Sequence, residues 1–319
     1  MGECLIVRRG GQAYKLPVLS ENYPQDVTLV ASANGSATFS VQITEPGSPA
    51  EYTYKWYKGG NLVSGTTGAT LNLTGLTAAA TTTVYCEVTN KAGTVTSRVA
   101  TLTVKDWKPV YSYTGAHSFI DDGNFQWRIK FLTSGTLTFS YLGNASSIDV
   151  FCVGGGQGNY YNVGGNGGGT KTTTIAASAN TSYPLAIGAG GTGPENAQGG
   201  NTTFGSLVTG LGGAHGRGSG GGGADGGNGG SDGGPGGANG TKGQGTTTRE
   251  FGEASGTLYS GGGGGFSSDD WSHIGTGGAG GGAGGQHSAS ANTGGGAGGS
   301  PNGTGWSGGS GIIVIRNHR

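Results

Sequence analysis

The chain has 319 residues in which 17 Lys and Arg balance 17 Asp and Glu, so no net field draws it toward nucleic acid, an anionic membrane surface or acidic substrates. Glycine dominates the composition: 76 residues, fifteen within residues 1–150 and 61 beyond, so the chain changes character near residue 153. The three cysteines, Cys4, Cys86 and Cys152, form no C-x-x-C pair and leave an odd one out, which argues against a disulfide framework or a zinc site.

No apolar stretch approaches the roughly 20 residues of a membrane span, and Met1–Leu5 is too soon interrupted by Arg8-Arg9 to read as a signal peptide. Work outside a cell therefore implies another route, such as assembly into a particle. Residues 1–22 read as an N-terminal arm, with a short hairpin made of Cys4–Val7, a basic turn Arg8-Arg9-Gly10-Gly11 and Ala13–Val18. So small a ribbon cannot bury a core; it docks on a partner or a second copy, or it is a solvated arm.

Residues 23–105 carry six or seven short strands in about eighty residues, the spacing of an antiparallel sandwich. They are Val27–Val30, Ala37–Ile43, Tyr52–Tyr57, Thr70–Leu73, Val84–Val88 and Arg98–Val104. Trp56 in Lys55-Trp56-Tyr57-Lys58 and the C-x-V-x-N-x-x-G pattern of Cys86–Gly93 resemble the third and sixth strands of an immunoglobulin-like domain. The resemblance departs at two places. An apolar residue, Val41, stands where the partner cysteine is expected, which implies an all-apolar core of Trp56, Cys86 and Val41, and Val84 replaces the corner tyrosine.

Residues 106–319 form the glycine-rich part. Strand-like segments Trp127–Leu132, Gly135–Phe139 and Ile148–Val153 lead into it, Thr170–Ala176, Tyr183–Ile187 and Thr202–Val208 interrupt it, and Gly311–Arg316 closes it. Apolar runs at both ends predict that strands within 106–153 and 312–316 share a sheet, with the glycine runs as excursions. Three readings of those runs compete. Collagen fails, because the G-X-Y period breaks and the chain has only nine prolines. A disordered linker avoids an ordering cost of about 1–2 kcal/mol per residue. A bundle of polyproline-II-type helices, with glycine every third residue where backbones touch, fits the spacings Gly220/Gly223/Gly226/Gly229, Gly227/Gly230/Gly233/Gly236 and Gly275/Gly278/Gly281/Gly284. The fold class expected is all-β, an immunoglobulin-like sandwich followed by a β-sandwich domain with packed polyglycine-type helices.

Four motifs in order, Trp127–Gly135, Ile148–Gly156, Gly200–Val208 and Gly308–Arg316, resemble the glycine-rich domain of bacteriophage and prophage tail proteins. The resemblance implies a tail-fibre or tail-tip protein located on the virion tail. It would contact a protein or glycan receptor on the bacterial surface and attach to other tail proteins through its N-terminal segment, and a homotrimer is compatible with it. A purely structural virion or surface component is the alternative.

Enzymatic and ligand motifs are weak. The G-x-G-x-x-G matches follow from composition and do not sit between a strand and a helix; the phosphate-loop ending is absent. The five histidines lack ligand spacing, so neither cofactor nor metal is expected; Asp121-Asp122 and Asp269-Asp270 read as turn residues, with calcium the rival reading. A carbohydrate-active enzyme is disfavoured. The candidate contact residues are bulky groups set among glycine and polar neighbours: Tyr160, Tyr161, Phe266, Asp269, Asp270, Trp271, His273 and Trp306. A thin glycine bundle should leave them at its ends, either exposed to a receptor or plugging the bundle.

Overall fold

The computed structural model describes residues 6–9, 12–195, 197–213, 249–253, 255–266 and 274–319. Among them the chain is all-β, and it divides into two compact units, Met1–Lys108 and Pro109–Arg319.

Unit 1 contains β1 (Ile6–Arg9), β2 (Gln12–Lys15), β3 (Val18–Leu19), β4 (Val27–Val30), β5 (Ser36–Ser40) and β6 (Ile43–Glu45). It continues with β7 (Thr53–Lys58), β8 (Asn61–Leu62), β9 (Thr70–Thr74), β10 (Ala80–Asn90), β11 (Gly93–Thr96) and β12 (Ala100–Lys105). The main sheet runs β4-β12-β10-β7-β8, with β11 also on β10; β3 pairs with β6 and β5 with β9. The terminal hairpin β1–β2 forms, but Arg8 and Arg9 are not its turn: they belong to β1 and pair with Ala13 and Gln12.

Alternation puts Trp56 of β7 inward, fully buried, opposite the equally buried Cys86 of β10. The Trp56 indole N–H donates to the Gly68 carbonyl at 3.0 Å, which satisfies its one polar atom inside the core. Phe39, Leu71, Val84, Val88 and Leu102 complete the buried set, and Cys86 is a free thiol. The end of β2 and the segment at Pro49 are tied to β10 by buried Asn90, whose side-chain N–H groups donate to the Lys15 and Pro49 carbonyls.

Unit 2 contains β13 (Val110–Tyr113), β14 (His117–Gly123), β15 (Gln126–Phe131), β16 (Gly135–Tyr141), β17 (Ile148–Val153) and β18 (Thr170–Ile175). Then come β19 (Ser182–Ala186), β20 (Thr202–Phe204), β21 (Val208–Gly210) and β22 (Ile312–Asn317). Two antiparallel five-stranded sheets result, ordered β14-β15-β22-β17-β18 and β13-β16-β19-β20-β21. The expected pairing of the two framing regions is present: β17 lies beside β22, with Ile148 opposite Asn317 and Val153 opposite Ile312. Residues 202–208 are a hairpin and not one strand, because Gly205 takes a positive φ of 53° that turns the chain. Every residue of β17 is buried, which accounts for its nearly unbroken apolar run. Phe151, Val153, Ile312 and Val314 form a cluster with Tyr259, which the returning chain brings over them.

Between the strands the glycine segments lie side by side, held by backbone hydrogen bonds. The N–H groups of residues 154 to 159 donate in turn to Gly169, Gly200, Gly309, Asn166, Ala197 and Trp306. Successive donors thus visit three neighbouring segments and return to each after three residues, stepping backwards along it. Gly261 and Gly264 donate to Gly280 and Ala283, and Gly263 and Phe266 to Gly165 and Asn162, with the same spacing. Close approach excludes side chains: a Cβ on Gly156, Gly263 or Gly308 would lie under 3.0 Å from the carbonyl of Gly295, Ala297 or Gly156, nearer than real Cβ atoms come.

The expected run Gly275–Gly284 is two segments. Residues 275 and 278 donate to Gly265 and Gly262 in antiparallel order, the chain reverses through Gly280 and Gly281 at positive φ, and 280–283 then runs parallel to 261–264. The registers at 220–236 lie outside the described residues.

Candidate functional site

The excursions leave the sheets at Val153, Ala186 and Gly210 and return at Thr170, Thr202 and Ile312. Because outgoing segments are bonded antiparallel to their returns, the turns at 160–163 and 193–195 and the loop 301–305 gather at the end of the bundle away from the strands. Tyr160 pairs with both Val163 and Glu195, which joins two of these turns. Its ring meets Tyr161 edge-on at 5.0 Å, and Tyr161, at positive φ, is 54% exposed. Trp306 enters from the 301–305 loop, half-buried, with its ring stacked on His287 at 6.4 Å. Its indole N–H is buried with no hydrogen-bond partner among the described residues.

Asn159 organises this end, and sequence reasoning missed it. Fully buried, it accepts from the Trp306 N–H at 2.7 Å and donates to the Tyr161 carbonyl at 3.1 Å and the Thr304 carbonyl at 3.0 Å. An asparagine where the glycine run gives way to two tyrosines was the available signal, since a buried amide must find partners.

Of the two alternatives, Phe266 takes the buried one. It is 1% exposed, its N–H bonds to the Asn162 carbonyl, and it pairs with Ile274. The bundle is wide enough to bury an aromatic ring, so Phe266 is a wall of this end and not part of its surface; Ile274, 50% exposed, stands beside it. Asp269, Asp270, Trp271 and His273 lie outside the described residues.

A second concentration of polar groups covers the outer face of β15, β17 and β22. Glu250, 1% exposed, receives Arg128 at 2.5 Å, Tyr259 at 2.5 Å and Lys130. Burial alone would raise its carboxyl, but the hydrogen bonds from Lys130 and Tyr259 and the charges of Lys130 and Arg128 hold it below its ordinary value. Asp149 takes Arg316 at 3.0 Å, Thr174 at 2.7 Å and His318 at 2.6 Å, while Arg316 also reaches Glu253 and lies over the Phe251 ring. Asp121 and Asp122, expected as turn residues, belong to β14, and Asp122 pairs with Arg128 and Arg319. This lattice fastens Glu250, Glu253 and Tyr259 onto the sheet. No group of three or more His, Cys, Asp or Glu able to hold a metal occurs among the described residues.

Comparison with known proteins gives a family: a model described as a glycine-rich domain matches residues 132–318, more than half of the chain, and the chain belongs to that family. No curated protein matches. Among solved structures, the chain is similar to SGBP-B of the Bacteroides ovatus mixed-linkage glucan utilization locus, solved in complex with a mixed-linkage heptasaccharide. That match has 13% identity and a TM-score of 0.16, covering 57% of this chain and 59% of the other, a likeness too slight to bear on fold or ligand.

Proposed function

We propose that this member of the glycine-rich domain family is a non-enzymatic receptor-binding protein of a bacteriophage or prophage tail. In this reading the glycine segments are polyproline-II-type helices, which complete a turn in three residues and have no internal hydrogen bonds. The three-residue rotation of donors along 154–159 supports it. Unit 1 is an immunoglobulin-like spacer, supported by the buried Trp56–Cys86 pair. The β1–β2 hairpin joins other tail proteins, and copies of the chain associate as a trimer on the virion.

The observation that carries the reading is that the backbones of Tyr161 and Trp306 both bond the Asn159 side chain at the end of a hydrogen-bonded glycine body. Loops fixed by a packed scaffold lose little entropy on contact, and rigid aromatics beside amides and hydroxyls suit protein and sugar surfaces alike. Chain labelled with a fluorophore should bind intact cells of a susceptible bacterial strain, and Tyr161→Ala should weaken binding by at least about tenfold, the loss of one anchoring contact of roughly 1.4 kcal/mol. Binding by neither protein would leave the chain a structural tail component, and equal binding by both would move the contact away from Tyr161.

A further inference from the structure

We infer that Asn159 is a positioning residue that sets the surface around Tyr161 and Trp306. Three observations converge on it. The rotating backbone pattern of 154–159 ends at this residue, whose N–H bonds the Trp306 carbonyl at 3.3 Å. Its amide then makes the three further bonds described above, to Trp306, Tyr161 and Thr304. Finally, Gly193 makes room for it: a Cβ there would collide with the Asn159 side-chain oxygen. One side chain thus fixes the Tyr160–Val163 turn, the 301–306 loop and, through the space at Gly193, the turn that follows.

The chemistry is specific to an amide. Two donors must meet two carbonyls while one acceptor meets an N–H, and only a carboxamide of this length offers that set. A carboxylate of the same shape would direct an oxygen at two carbonyl oxygens. A protonated carboxyl could restore one of the two donations.

Asn159→Asp in the full chain therefore separates positioning from general stability. At pH 7 the amides of Tyr160, Val163 and Trp306, which are hydrogen-bonded in these loops, should lose exchange protection by at least about tenfold, while 154–158, 294–299 and the β17–β22 ladder keep theirs. At about pH 4 protection of the two loops should recover in part as the new carboxyl takes up a proton, and Asn159→Ser, which lacks that group, should show no recovery. Loss of protection throughout the bundle, or no loss in the loops, would overturn the inference. This use of Asn159 rests on the receptor reading only in its last arm, binding of the variant to bacterial cells. Loosened loops with unchanged binding would uphold the positioning role and remove the surface from receptor contact.

Discussion

Val153 and Ile312 face one another as Cα partners where the β17–β22 ladder ends. The chain passes from the sheet into a glycine segment at Val153 and comes back from one at Ile312, and the turn that carries Tyr161 and the loop that leads to Trp306 fall at the opposite end. The body between has few side chains with which to build an apolar core; its cohesion comes from backbone groups bonded between segments.

That cohesion should depend on glycine at specific positions. Gly156→Ala and Gly263→Ala each push a methyl into a neighbouring carbonyl, a cost of about 1–3 kcal/mol or more, and thermal unfolding of unit 2 should fall by about 2–4 °C for each kcal/mol. Gly284→Ala is the internal control. Its Cβ would meet nothing nearer than 3.5 Å, so the melting temperature should stay within about 1–2 °C, an effect of no more than about 0.5 kcal/mol.

The ionic lattice over β15, β17 and β22 should make the domain sensitive to loss of one carboxylate. Glu250→Ala would leave Arg128 and Lys130 without their shared partner and should cost about 3–5 kcal/mol, read by chemical denaturation.

Acid should reach the same lattice. Burial opposes ionisation of Asp122, Asp149 and Glu250, but their hydrogen-bonded cations outweigh it and lower all three carboxyls in the folded chain. Their contribution is complete above the ordinary carboxylate range and is lost as pH falls through the depressed values. Stability should be flat near neutrality and drop only in strong acid, and Glu250→Gln should make that drop shallower.

The thiols should be inert in the native chain. Burial pushes Cys86 up to about 12 and raises Cys152 as well, so at pH 8 the reactive thiolate of Cys86 is about one part in ten thousand. A disulfide reagent such as DTNB should titrate no more than one of the three cysteines before denaturant is added, and all three afterwards. Rapid native reaction of two would contradict the burial.

Strands whose burial alternates or is continuous were legible in the sequence: Val27–Val30 and Ile148–Val153 have the expected bounds, and the pairing of β17 with the C-terminal strand follows from matching apolar runs. β13 and β14 were not, since their half-exposed residues, with Asp121 and Asp122 among them, give no clean period. The partners within the bundle were illegible for a deeper reason. Glycine carries no side chain to encode whom it touches, so that Gly156 meets Gly309 and not another glycine is decided by the sheets at one end and by amides such as Asn159 at the other. Whether Phe266 was surface or plug stayed open in the sequence because its neighbours there are glycine and serine, whereas its burial comes from segments far along the chain.

Residue-resolved amide exchange on the described glycine segments tests most directly whether they form a solid body. Gly155, Gly156, Gly165, Gly263, Gly296 and Gly309, each donating to a carbonyl of another segment at 2.7 to 2.9 Å, should be protected to a degree approaching the β17–β22 ladder. Exchange of these six at the rate of an unstructured peptide, beside a protected ladder, would contradict it.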